Sequence, residues 1–159
     1  MIRFNNIKFK GKNFSLKLLF IRNFNNYFDN IVFKHAIKIY TDPLNQRNLI
    51  RKDNVGKIGI YCWVNKINSK FYIGSGDSLY LRISDYYQNW YILYRPNIYI
   101  VKALSKYGMK NFSLVILEYS DSKNLILCEQ KWIDLLKPKY NLRSAIKKTK
   151  NFKDTIKNI

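Results

Sequence analysis

The residue whose surroundings most directly predict chemistry is Glu129. At about 100° per residue, Leu125, Cys128, Trp132, Ile133, Leu135 and Leu136 share one apolar arc of a helix, and Glu129 falls in its middle. A carboxylate there faces the domain rather than water. Burying it is costly unless it is paired or bound to a cation. A divalent metal ion is the natural partner, and a structural Glu–Arg ion pair is the alternative. Two further tripeptides stand out: Gly59-Ile60-Tyr61 and Tyr72-Ile73-Gly74, separated by ten residues. They place two phenols on neighbouring segments. Arg82 follows shortly after, and a guanidinium facing those phenols can hold a phosphate through two parallel hydrogen bonds. The helical wheel alone leaves a solvated helix arginine equally open.

The elements that must position these groups are readable from residue pattern. Ile58–Val64 is rich in β-branched and aromatic residues, Asn65–Ser69 is a polar turn, and Lys70–Gly74 is a second strand, so the two form an antiparallel hairpin. Asp77 or Ser78 can cap a helix over Leu79–Tyr87. A second helix is predicted over Asn97–Tyr107, closed by Gly108. Phe112–Tyr119 alternates as a third strand, with Phe112, Leu114, Ile116 and Glu118 on one face. Asp121 or Ser122 caps a last helix that runs to Leu136, before Pro138. The order β-β-α-α-β-α has strands too closely linked for a parallel sheet. It predicts an α+β domain, a three-stranded antiparallel β-sheet flanked by helices.

Upstream of this domain the pattern is looser. Phe14–Ile21 and Phe28–Ile39 carry a weak helical periodicity without clear caps, and Thr41–Asn45 reads as a turn around Pro43. The chain is therefore divided into a basic N-terminal extension (1–55), the α+β domain (56–142) and a short basic tail (143–159). Its 159 residues leave no room for two large domains.

Charge indicates the partner. The chain carries 29 Lys and Arg against 10 Asp and Glu, a net +19, which calls for a polyanion, nucleic acid before membrane. The excess lies on the flanks: +8 in residues 1–55, +4 in residues 56–136 and +7 in residues 137–159. Phosphate contacts of that kind supply affinity without reading sequence. Lys147 and Lys148, in the tail, are candidates for such contacts. Charges at Lys17, Arg22, Lys34 and Lys38 break the apolar runs that would otherwise resemble a membrane span. Cys62 and Cys128 form no CxxC pair, so no zinc knuckle or disulfide framework is expected. His35, the single histidine, reads as an ordinary surface or core residue.

The two tripeptides at their spacing, followed in order by Arg82, Glu129 and Tyr140-Asn141, resemble the GIY-YIG nuclease superfamily over Lys57 to Leu142. The stretch Lys106–Phe112 also resembles a recurrent segment of that family, with a structural role. The resemblance implies a metal-dependent DNA endonuclease, of the intron-encoded homing type. In it Tyr61, with Tyr72, positions and deprotonates the attacking water, and Arg82 clamps the phosphate. Glu129 holds one Mg²⁺ ion, with Mn²⁺ as a substitute, and Asn141 helps organise the site. A free tyrosine titrates near ~10, so Tyr61 requires assistance to act as a base. Gly59 and Gly74 would allow close approach by DNA, or mark strand irregularities.

Many relatives carry a histidine one turn after the arginine or in the following loop. Here Tyr86 stands at the first place, beside Arg82 on one helix face, and no histidine follows His35. Arg95, in the loop opening the second helix, is a further candidate for contact with DNA or the site. The tail after Asn141 is too short for a recognised DNA-reading module, which keeps a second reading open: a catalytically silent remnant that binds DNA or intron RNA. A repair or mobile-element nuclease with the same core is a third. The expected partner is double-stranded DNA, with intron RNA as the alternative and no membrane. Abundant Asn, Ile, Lys, Phe and Tyr have A+T-rich codons, which points to an organellar genome and a mitochondrial location.

Overall fold

The computed structural model describes residues 31–141. A short helix α1 (Ile31–Lys34) leads into strand β1 (Lys38–Tyr40) and helix α2 (Arg47–Asn54). The hairpin follows as β2 (Gly59–Asn65) and β3 (Phe71–Gly76). Next come α3 (Leu79–Ser84), a 3₁₀ turn over Asp85–Tyr87, α4 (Asn89–Tyr94) and α5 (Tyr99–Tyr107). Strand β4 (Phe112–Tyr119) and helix α6 (Leu125–Leu136) complete the domain.

The strands form one antiparallel sheet in the order β1-β4-β2-β3. The α+β fold is therefore as expected, with one addition: the sheet has four strands rather than three. The added strand comes from the N-terminal extension, where Lys38, Ile39 and Tyr40 pair with Ile116, Val115 and Leu114. The loose helical periodicity over Phe28–Ile39 resolves into the single turn of α1 and this edge strand; Phe14–Ile21 lies outside the described residues. Tyr119 Oη at the end of β4 donates to Asn54 Oδ1 at 3.3 Å and ties the extension to the sheet, and two further bonds brace it within. Asn54 Nδ2 donates to Tyr40 Oη at 2.9 Å, and Tyr40 Oη donates to Asp53 Oδ2 at 2.9 Å, tying α2 to β1.

Two cores lie on the two faces of the sheet. Side chains alternate along a strand, so Tyr61, Trp63, Tyr72, Leu114 and Ile116 pack under α3, α4 and α5. Ile60, Cys62, Val64, Ile73 and Val115 pack under α6, which contributes Leu125, Trp132 and Leu136. Burial pushes the Cys62 thiol well above its usual range. His35 stacks edge-on against Trp132 at 5.5 Å, consistent with an ordinary packing residue.

A register shift between Ile60 and Tyr61 interrupts the pairing of β2 with β4. Ile60 faces Glu118 while Tyr61 faces Ile116, so Leu117 is the extra residue. The bulge changes the expected alternation: Glu118 turns to the α6 side, where it accepts hydrogen bonds from Trp132 Nε1 at 2.6 Å and Lys131 Nζ at 2.5 Å.

Candidate active site

The hairpin register sets Tyr61 opposite Gly74 and Trp63 opposite Tyr72. Gly74 has a steric purpose. A Cβ at that position would stand 2.6 Å from Tyr61 Oη and 2.9 Å from Tyr72 Cε1. The Tyr61 phenol thus lies across the glycine, and this space belongs to the protein rather than to approaching DNA. Gly59 is likewise buried against its own sheet, since a Cβ there would come within 2.4 Å of the Glu118 carbonyl oxygen at the bulge.

From Tyr61 a chain of polar contacts runs outward. Tyr61 Oη and Tyr86 Oη are hydrogen-bonded at 2.9 Å. Arg82 Nη2 donates to Tyr86 Oη at 3.2 Å and to Tyr91 Oη at 2.8 Å, while Nη1 donates to Asp85 Oδ2 at 3.0 Å. The spacing of four residues, carried from α3 into the 3₁₀ turn, brings Tyr86 beside Arg82 as the sequence predicts. Its ring centroid lies 5.0 Å from the guanidinium carbon. Two tyrosines and one aspartate therefore fix the guanidinium before any substrate arrives, with Tyr61 behind Tyr86. The side chain keeps 27% of its surface exposed, enough to meet a ligand.

Electrostatics separates the two expected tyrosines. Tyr61 and Tyr86 are fully enclosed, at 0% and 1% exposure, and burial pushes both phenols well above their usual range. Tyr61 is therefore not placed to deprotonate water; desolvation holds it neutral and the core shields it. That corrects the expected base role and leaves Tyr61 as a positioning residue behind Tyr86. Burial opposes the Arg82 charge, but the Tyr61, Tyr86 and Tyr91 phenols around it outweigh that and move its pKa above the ordinary arginine value. Tyr72, by contrast, lines an open cleft together with Arg82.

Glu129 arrives from the other face of the sheet. Along β3, Tyr72 and Gly74 face the α3–α5 side and Ile73 and Ser75 face α6. Ser75 Oγ donates to Glu129 Oε2 at 2.5 Å, and Glu129 is 5% exposed on the buried stripe of α6. Ser75 in turn lines a second cleft with Gly76, Asp77, Arg82 and Asp85. A Cβ on Gly76 would lie 2.8 Å from Arg82 Cβ, so that glycine is what lets α3 close on the strand. Arg82 on the α3 side and Glu129 on the α6 side thus flank the edge strand β3, and the second cleft is lined by Arg82 and by Ser75, the hydrogen-bond partner of Glu129.

Asn141 secures that edge. Its Oδ1 accepts from Ile73 N at 2.9 Å and its Nδ2 donates to Ile73 O at 2.8 Å, while Tyr140 N donates to Phe71 O at 3.1 Å. The side-chain amide satisfies backbone groups that an edge strand leaves open. Tyr140 Oη is held by Asn65 and Asn68 of the hairpin turn.

The GIY-YIG catalytic domain, as a family, matches residues 57–141 of this chain, which span every group just described except those of β1 and α2. The chain belongs to the GIY-YIG family. It is similar to probable intron-encoded endonuclease 1 of Neurospora crassa, 32% identical over 103 residues, covering 62% of this chain and 33% of that protein. Probable intron-encoded endonuclease bI1 of the same fungus is 30% identical over 134 residues, covering 76% of this chain and 29% of that protein. The chain spans about a third of the length of these curated relatives. Two solved structures of the catalytic domain of intron endonuclease I-TevI are 26% identical, with TM-scores of 0.49 and 0.47. They cover 55% of this chain and 95% and 99% of theirs.

Within this GIY-YIG domain the structure brings together Tyr72, Arg82, Tyr86, Arg95 and Asn141 around one cleft and its supporting wall, with Glu129 beneath the same edge strand. Gly59, Gly74 and Tyr61 lie inside the fold. Lys147 and Lys148 fall outside the described residues. Sequence reasoning missed Tyr91, which gives Arg82 its shortest hydrogen bond, because α4 breaks what reads as a loop before Pro96. It also missed Ser75 and Asp85. The first was legible as the residue facing away from Gly74 and Gly76, the second as the i+3 partner of Arg82.

Proposed function

We propose that this chain is a metal-dependent DNA endonuclease of the intron-encoded homing type, hydrolysing a phosphodiester at the outer edge of β3. One observation carries the reading. Arg82, braced by Asp85, Tyr86 and Tyr91, and Glu129, bonded to Ser75, are presented around a single strand whose edge is closed, among the described residues, by Tyr140 at Phe71 and by the Asn141 amide at Ile73. Preorganised charge of opposite sign on two sides of one strand suits a phosphate and its counter-ion. Double-stranded DNA is the proposed substrate, in keeping with the net charge of +19.

Among the described residues no three His, Cys, Asp or Glu side chains cluster as metal ligands. Glu129 as a single buried carboxylate fits Mg²⁺, which keeps several waters and takes one or two carboxylates beside phosphate oxygens; Mn²⁺ would substitute. When bound, such an ion supplies charge that offsets the leaving oxygen. Ser75 orients the Glu129 carboxylate by its hydrogen bond. Arg82 grips the phosphate and offsets its growing charge, with Tyr91 and Asp85 holding the guanidinium plane. Tyr72, on the cleft wall, orients the attacking water. Tyr61 and Tyr86 fix Arg82 from within.

Basic groups outside the cleft support the same substrate. Arg47 lies over the Tyr87 ring at 4.5 Å and Arg51 over the Tyr80 ring at 6.0 Å, so α2 presents two braced guanidinium groups beside α3. The abundance of Asn, Ile, Lys, Phe and Tyr, residues with A+T-rich codons, and the similarity to intron-encoded endonucleases support a mitochondrial source. The absence of histidine beyond His35 favours a second reading, a silent remnant that binds DNA or intron RNA. Nicking of supercoiled plasmid separates the two. Nicking that requires Mg²⁺ and is lost in Glu129→Ala supports the nuclease. Salt-sensitive binding without nicking supports the remnant.

A further inference from the structure

Next to the Arg82 guanidinium a cleft of about 740 Å³ opens between α4, the start of α5 and the edge of β3. Its size is that of a small-molecule site, and the phosphate and water placed above take up only its Arg82 and Tyr72 side. Its lining is unusually aromatic: Tyr72, Tyr91 and Tyr140 are buried in its floor, while Trp90 and Tyr99 stand at its sides 51% and 44% exposed. Two exposed polar side chains, Arg95 and Asn97, complete it. The Asn141 amide is spent on the Ile73 backbone, which leaves Asn97 as the amide able to meet a ligand.

We propose that this cleft receives one unstacked nucleobase of the DNA, adjacent to the phosphate held by Arg82; the inference rests on the nuclease reading and gives that site its substrate preference. Three observations carry it. First, the cleft and the phosphate site share a ring. Tyr91 accepts a hydrogen bond from Arg82 at 2.8 Å, and Trp90 stands edge-on to the same Tyr91 at 5.7 Å and 83°. A base between the aromatic side walls is therefore within one nucleotide of the gripped phosphate. Second, the Asp85 carboxylate that lines the cleft is ion-paired with Arg82 at 3.0 Å. Beyond that pair Arg95 is, among the described residues, the one charged group of the lining and the rest is aromatic or neutral, which suits a base more than a second phosphate. Third, an exposed indole beside exposed phenol and guanidinium groups is the chemistry that stacks on bases of any sequence. In a continuous duplex both faces of each base are covered, so only a base that has left the stack can use these rings.

A substrate that already holds one unpaired nucleotide beside the cut phosphate has met the unstacking cost in advance, so it binds better. The test is fluorescence anisotropy of the whole chain, without metal, on a short perfect duplex and on the same duplex with a single-nucleotide bulge. The wild type is expected to bind the bulged duplex about tenfold tighter, the scale of one base–aromatic stack. Its tryptophan emission should be quenched on binding, a signal from Trp90, since Trp63 and Trp132 are buried. In Trp90→Ala the two duplexes bind equally, and Trp90→Phe restores part of the difference; circular dichroism melts establish that both variants are folded. Equal binding of the two duplexes by wild type, or a preference that survives Trp90→Ala, overturns the base site. Plasmid nicking with Mg²⁺ runs alongside. Nicking without the preference removes the base site and leaves the nuclease, whereas a Trp90-dependent preference without nicking does the reverse.

Discussion

Tyr61 Oη and Tyr86 Oη are hydrogen-bonded at 2.9 Å inside the core, and only the second of these phenols touches Arg82. The first tyrosine of the family's signature therefore acts on the guanidinium through another phenol. Tyr61→Phe removes one buried hydrogen bond and is expected to lower stability by about 1–2 kcal/mol, with a loss of nicking rate below about tenfold. Tyr72→Phe, at the cleft wall, is expected to lower the rate by about 10²-fold, the low end for a group that handles the reacting water. Single-turnover nicking of both variants checks the order, and a larger loss in Tyr61→Phe would reverse the assignment.

The same burial predicts alkaline sensitivity. The folded pKa of Tyr61 lies well above the unfolded value near ~10, as does that of Tyr86. The folded state thus holds protons that the unfolded state releases. Their contribution is complete below about pH 10 and is lost as pH rises above it. Melting temperature should fall steeply above that pH, and the fall should be shallower in Tyr61→Phe. Thermal melts across the alkaline range decide it; identical slopes would show that Tyr61 is not held neutral by the fold.

Gly74 is required by its neighbours, with Tyr61 Cζ 2.7 Å from where a Cβ would stand. Gly74→Ala forces two aromatic rings to move and is expected to cost about 1–3 kcal/mol. Thermal denaturation at neutral pH measures it. An unchanged melting temperature would mean that the rings yield freely.

Much of this architecture was legible in the sequence, and the gaps have physical causes. The hairpin, α5, β4 and α6 follow from period, and Gly108 closes α5 as expected, whereas α6 starts at Leu125 after Asn124 rather than at the expected Asp121 or Ser122 cap. Glu129 stood out because a carboxylate in an apolar arc has few uses. Strand β1 was hidden because three residues, Lys38–Tyr40, carry too little alternation; it exists because β4 offers an edge and Asn54 and Asp53 hold Tyr40. The Glu118 face was misread because a bulge leaves no mark in residue type. Arg82 and its neighbour Tyr86 were visible, but the Tyr91 part of the brace was not, since Tyr91 comes from a helix of six residues. The base role of Tyr61 failed on burial, which motif spacing does not report.

Asn141 supplies both of its amide groups to Ile73. Asn141→Ala leaves that edge open and is expected to lower stability by about 1–3 kcal/mol. It should also speed hydrogen exchange at the Ile73 amide. Exchange measured residue by residue checks this. Protection that persists at Ile73 would show that another group closes the strand.

In the proposed mechanism Arg82 and Glu129 act on one phosphate from two sides of β3. Single-turnover plasmid nicking with Mg²⁺ by Arg82→Lys, Glu129→Gln and the double variant tests it most directly. Each single change is expected to lower the rate by about 10²–10³-fold, the scale of one lost transition-state contact. Groups that work as a unit are strongly non-additive, so the double variant should be little slower than the worse single one. Losses that multiply in the double variant, or full activity in Glu129→Gln, would contradict a shared site.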